Sequence, residues 1–189
     1  KAFHPEGELA GARAAKGHLQ MLSTVGTTSM EEINAPRPGG RVWFQLYARP
    51  DWTQTQKMLK RAEASGSPAV AWTVDLLGGS NRLTVLRGRR ADPRDCTLCH
   101  IDGDASRDNR RRPMVAEFPP QVNREPISGF TWDYVKRLKD ATSMKVLVKG
   151  IVRREDAELA IEHGADGLIV SNHGGRAEES LRPTIECLP

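Results

Sequence analysis

Aromatic residues and cysteines are both scarce in this chain. Phe, Trp and Tyr together make up 5% of its 189 residues, and there are only three cysteines. Three thiols in a chain this long build no disulfide framework, so a reducing, cytoplasmic setting is expected. Long apolar runs are missing too. None approaches the ~18 residues a membrane-spanning helix needs, and the opening Lys1-Ala2-Phe3-His4-Pro5 lacks the apolar centre of a secretion signal. Nor does one charge sign dominate: 28 Lys plus Arg against 24 Asp plus Glu leave +4. That mild basic excess suits small anionic ligands. The basic and aromatic residues do not alternate as base stacking would require, so nucleic acid is not an expected partner. At 38% apolar and 28% charged, the composition is too apolar for a disordered chain and too polar for a membrane protein.

What is present is an alternation of short apolar runs and helical stretches. Residues 9–15 read as a helix ending near Gly17, and residues 19–22 as a brief strand. Ser29 ahead of Glu31 and Glu32 begins a capping box. Residues 42–47, 69–74, 145–149 and 167–170 read as buried strands. Between them, residues 51–64 form a helix with Met58, Leu59 and Ala62 on one side and Gly66 as its stop. Residues 155–163 form another, with Ala157, Ala160 and Ile161 on the inner stripe. Single helices between strands predict βαβ units and a parallel sheet. An arginine-rich segment at about 76–130, with little periodicity, reads as a long irregular loop, a type that is commonly functional.

The polar residues fall at the ends of the apolar runs. Ser23 and Thr24 follow Leu22; then come Gln45 and Tyr47, Thr73 and Asp75, Lys149, and finally Ser171-Asn172-His173 with Arg176. In a parallel α/β barrel the strand C-termini open on one face, where chemistry sits. Singly, each residue has an ordinary structural explanation: a strand hydroxyl, a turn carboxylate, a surface ammonium. Five consecutive units with the same placement point to one cavity. In Ser171-Asn172-His173-Gly174-Gly175-Arg176 the two glycines allow a tight bend. There His173 is a candidate base, Asp75 a carboxylate able to stabilise its imidazolium, and Arg176 and Arg82 forked donors for a substrate carboxylate. This set removes a proton from a small anionic acid, and a redox reaction needs a cofactor besides.

At these residues the chain resembles the FMN-dependent α-hydroxy acid dehydrogenase and oxidase family, which includes glycolate oxidase, lactate oxidase, mandelate dehydrogenase and flavocytochrome b2. The matching stretches are His4-Pro5-Glu6-Gly7-Glu8, Leu22-Ser23-Thr24, Phe44-Gln45-Leu46-Tyr47, Thr73-Val74-Asp75, Val148-Lys149-Gly150-Ile151 and Ser171 to Arg176. They stand in the family's order across nearly the whole chain. The resemblance implies a parallel (β/α)8 TIM barrel, a fold that typically takes about 250 residues. Residues 1–189 would then be a partial barrel domain, a fragment holding about five of the eight strands. It implies FMN as cofactor, with Ser23, Gln45 and Thr73 at the flavin's polar edge and Lys149 beside its N1/C2 oxygen region. It also implies oxidation of an L-2-hydroxy acid, such as lactate or glycolate, to the 2-keto acid. His173 would be the base, Asp75 its partner, Tyr47 a hydrogen-bond partner of the substrate oxygen, and Arg176 and Arg82 the carboxylate ligands. Oxygen, a quinone or a cytochrome would take the electrons, and the protein would form a homo-oligomer.

Cys96-Thr97-Leu98-Cys99-His100 stands apart from this pattern. It matches the attachment motif for haem c, with Met114 as a conceivable second iron ligand. Such attachment requires export, for which residues 1–5 show no signal. The same three side chains, with His18 or Asp102, would make a metal site, or they are a free pair in a loop. Two further functions are therefore weighed against the hydroxy acid enzyme: an electron-transfer module on the Cys96–Cys99–His100 loop, and a catalytically inactive fragment. The arginines around the loop leave peripheral contact with the inner face of a membrane as an option.

Overall fold

The computed structural model describes residues 4–15, 17–35, 42–76, 87, 88, 90, 91, 112–119, 130–176, 180 and 182–188. Among the described residues five strands form one sheet: β1 (Gln20–Ser23), β2 (Val42–Leu46), β3 (Ala69–Thr73), β4 (Lys145–Ile151) and β5 (Gly167–Val170). Each is hydrogen-bonded in parallel to its neighbour in the chain. Among the described residues the helices with fixed bounds are α1 (Glu8–Ala15), α2 (Met30–Asn34), α3 (Trp52–Ala64), α4 (Asp133–Ala141) and α5 (Arg154–Glu162), followed by a 3-10 turn at Thr184–Cys187; residues 87, 88, 90 and 91 are helical as well.

Local chemistry accounts for the helix boundaries. Ser29 caps α2, accepting from the Glu32 N–H while the Glu32 carboxylate accepts from the Ser29 N–H, so the full capping box is present. Asp51 caps α3 through the Thr53 N–H. That helix then buries Thr55, Met58, Leu59 and Ala62, the spacing of one stripe on a 3.6-residue turn. The sheet presents Leu22, Phe44, Leu46, Val70, Trp72, Val146 and Val148, in register on one face, to a core shared with Met58, Leu59, Val135 and Leu138. Each large side chain buried there contributes roughly 1.5–3 kcal/mol.

One expectation is corrected. Ala160 is buried in α5, but Ile161 is 67% exposed. One residue is about 100° of helix, and this short helix rests on the sheet through Ala160 and Ala157, which turns Ile161 outward. Most of the long connection lies outside the described residues, as do Arg82, Cys96, Cys99 and His100. Of the described residues in it, 112–119 run as turns without helix or strand, and Met114, Val115 and Phe118 among them are buried in the common core. Met114 is therefore a packed core side chain. Arg61 donates to the Pro113 carbonyl. Arg49 Nη2 donates to the Pro119 carbonyl at 3.0 Å, its guanidinium lying 5.8 Å from the Phe118 ring centre.

Candidate active site

Because strand side chains alternate between faces, the sheet face opposite the helix-packed core carries Ser23, Gln45, Thr73 and Lys149, all near the C-terminal ends of their strands. Ser23 Oγ donates to Gln45 Oε1 at 2.7 Å, and Gln45 Nε2 donates to Thr73 Oγ1 at 2.6 Å. Three strand ends are thus joined by a hydroxyl–amide–hydroxyl row in which Gln45 and Thr73 are buried. Thr24 braces the row from below. Its hydroxyl donates to the Gln45 carbonyl at 2.7 Å and accepts from the Tyr47 N–H at 2.9 Å, which fixes where Tyr47 leaves β2.

The second half of the site centres on Asp75. The Val74 N–H donates to the Lys149 carbonyl at 2.9 Å, prolonging the β3–β4 pairing to the residue before it. β4 has a register irregularity between Lys149 and Ile151, at Gly150, whose φ is +117°. A Cβ on Gly150 would lie 2.6 Å from Asp75 Cβ and 2.8 Å from Asp75 N, so only glycine lets β4 run this close. Asp75 accepts from Lys149 Nζ (3.0 Å) and Ser171 Oγ (2.9 Å) on Oδ2, and from His173 Nδ1 (2.7 Å) on Oδ1. Burial pushes this carboxyl up. The hydrogen bonds from His173, Lys149 and Ser171 more than offset that, and its pKa lies below the ordinary aspartate value.

His173 closes the arrangement. Its φ of 57° is the only positive value at a non-glycine among the described residues, a conformation that costs about 1–2 kcal/mol outside glycine. Gly174 and Gly175 continue the left-handed bend. The His173 N–H donates to Ser171 Oγ at 3.1 Å, and Arg176 Nε donates to the His173 carbonyl at 2.8 Å. Buried Asn172 braces the turn from within, accepting from the Gly175 N–H at 3.0 Å and donating to the Arg182 carbonyl at 2.9 Å. The Tyr47 hydroxyl lies 3.3 Å from His173 Nε2. An ionised Asp75 can only accept, so its bond requires N–H on His173 Nδ1; in the neutral ring the lone pair then sits on Nε2, beside Tyr47.

Ser23, Gln45, Thr73, Tyr47, Asp75, Lys149 and His173 therefore meet at one end of the sheet. Arg176 stands at the edge of this group, exposed. Lys149, expected at a flavin edge, is paired with Asp75. The sequence places Ser171 and Thr24 among the strand-end polar groups without a role of their own, and the structure makes each a bridge between two expected site residues. Among the described residues no three His, Cys, Asp or Glu side chains group as a metal site would require.

A parallel βα repeat with its polar groups gathered at the strand C-termini is the architecture of a TIM barrel, here represented by five consecutive strands. The sequence profile described as FMN-dependent dehydrogenase matches residues 1–189, and the chain belongs to that family. It is 39% identical over 190 residues to the 4-hydroxymandelate oxidase of Amycolatopsis orientalis, covering 100% of this chain and 52% of that protein. It is 38% identical over 196 residues to the glycolate oxidase of Spinacia oleracea, covering 100% of this chain and 51% of that protein. A mandelate oxidase structure with (S)-2-phenylpropionate superposes with a TM-score of 0.74 at 37% identity, over 98% of this chain and 48% of that one. The chain thus spans about half the length of the relatives it matches.

Proposed function

We propose that the protein carrying this chain oxidises a small 2-hydroxy acid to the 2-keto acid with FMN as cofactor and oxygen as the final electron acceptor. The observation that carries this reading is the Tyr47–His173–Asp75 chain, with contacts of 3.3 and 2.7 Å, beside the Ser23–Gln45–Thr73 row. That the relatives are glycolate and mandelate oxidases supports the substrate class and the acceptor. Their substrates differ greatly in size, so the reading is kept at a 2-hydroxy acid, with no preference for lactate.

The residues present fit the cofactor. A planar heterocycle with alternating donors and acceptors along one edge suits Ser23, the Gln45 amide and Thr73, each of which both donates and accepts. The Lys149 ammonium suits an edge that gains negative charge. When bound, FMN supplies the acceptor for the electron pair that leaves the substrate's α-carbon. The chain's own side chains handle protons and position. His173 Nε2 takes one substrate proton, from the α-carbon or from the hydroxyl. Asp75 holds the ring in the tautomer that leaves Nε2 free, and its charge stabilises the imidazolium that forms. The Tyr47 hydroxyl, within reach of the same nitrogen, bonds the substrate oxygen. Arg176, whose Nε is held by the His173 carbonyl, offers its remaining N–H groups to the carboxylate. Arg82 is assigned the same task from its place in the sequence.

His173→Ala decides the role of the base. In the FMN-loaded protein without oxygen, mandelate or glycolate bleaches the flavin's visible absorbance. The variant is expected to slow that bleaching by about 10²-fold or more. Bleaching at the parental rate removes His173 from the reaction.

A further inference from the structure

Ser171 bonds both partners of the central pair. Its hydroxyl donates to Asp75 Oδ2 at 2.9 Å and accepts from the His173 N–H at 3.1 Å. A serine hydroxyl has one proton and two lone pairs, so the proton goes to the carboxylate and a lone pair holds the histidine's peptide. That peptide belongs to the residue with φ of 57°, whose backbone does not adopt this shape unaided. The Ser171 N–H itself donates to the Ile151 carbonyl at 3.3 Å, which ties the bridge to β4. The hydroxyl thus links the backbone that aims the imidazole to the carboxylate that receives it. Arg176 grips the same residue from the other side through the His173 carbonyl.

We propose that Ser171 is a positioning residue that locks the left-handed turn at His173, so that Nδ1 stays on Asp75 and Nε2 stays aimed at the substrate. The proposal rests on the reading of His173 as the base and adds the group that keeps that base in place. Ser171 itself touches no reacting atom. Without its hydroxyl the turn relaxes, the ring spends less time against Asp75, and the imidazolium loses part of its partner's charge.

The test uses Ser171→Ala and Ser171→Thr, which respectively remove and restore the hydroxyl. In the purified protein without substrate, the titration of the His173 Cε1–H proton is followed by NMR, its signal assigned by its loss in His173→Ala. In Ser171→Ala the midpoint is expected to fall by about half a unit or more, and Ser171→Thr is expected to recover most of that shift. In the FMN-loaded protein turning over mandelate or glycolate, Ser171→Ala is expected to lower kcat about tenfold, with KM within about twofold. An unchanged His173 midpoint in Ser171→Ala overturns the proposal, whatever the rate does. A threonine variant no better than alanine overturns it too. If His173→Ala turns over normally, the base assignment fails, and the titration still decides whether Ser171 holds the pair. Should Ser171→Ala not fold, Ser171→Cys has nearly the same volume and only a weak donor, and it enters the same comparison.

Discussion

Asp75 collects hydrogen bonds from three elements: the ammonium of Lys149 on β4, the hydroxyl of Ser171 after β5, and the imidazole of His173 in the glycine turn. Its depressed pKa gives a stability prediction with a definite sign. A carboxylate more acidic in the folded than in the unfolded state stabilises the fold above its unfolded pKa of about 3.9. That contribution is lost as pH falls through the folded value. Asp75→Asn keeps the volume but removes the charge that answers Lys149, and is expected to cost about 1–3 kcal/mol at neutral pH. Urea unfolding from pH 7 downward checks it: the gap between parent and variant should narrow below about pH 4. A gap that stays constant into strong acid means that the carboxylate contributes no net charge interaction. At this scale residue type marks positions: the imidazole, the phenol and the carboxylate stand out because a core would not choose them at strand ends. Ser171 and Thr24 stand at the same strand ends, but a hydroxyl has an ordinary use almost anywhere, and only its partners give it a particular one.

Among the elements, β4 runs closest to a neighbouring backbone at Gly150. Gly150, at φ +117° and backed directly by Asp75, is a position where a methyl group has no room and the backbone is wrong for an L side chain. Gly150→Ala is expected to destabilise the fold by about 2 kcal/mol or more, read as a lower urea midpoint. A loss under about 0.5 kcal/mol would mean that the strand shifts easily and that the close approach is not required. Strands, the helices α1, α3 and α5, and the cap at Ser29 were all legible, because apolar runs and caps are local signals. Helix α4 has a buried stripe at Tyr134, Val135 and Leu138, but it follows a long aperiodic stretch that hides its start. Ile161 departs from the expected stripe for a related reason: periodicity finds a stripe but does not say how wide it is, and α5 packs inward through Ala157 and Ala160.

Across the whole molecule, the core draws on residues far apart in sequence. Phe118 and its neighbours at 112–119 come from the later part of a segment that reads as loop, yet they fill the same interior as β2 and α3. Phe118→Ala is therefore expected to cost about 3 kcal/mol or more, the penalty of emptying a packed aromatic site, measured by denaturant unfolding. A loss below about 1 kcal/mol would show that residues 112–119 ride on the surface. The sequence alone determined the class of the fold, a run of βα units with polar groups at the strand ends, because strand and helix periodicities and turn residues act over a few positions. It also determined the identity of most of the side chains that meet at the site. Tertiary structure decided which atoms meet: Lys149 with Asp75, Ser171 between carboxylate and peptide, the Tyr47 hydroxyl at His173 Nε2. The side-chain contacts among them join residues 74 to 126 positions apart. Their geometry is set by sheet register, by a single irregularity at Gly150 and by a left-handed turn, none of which leaves a periodic trace along the chain.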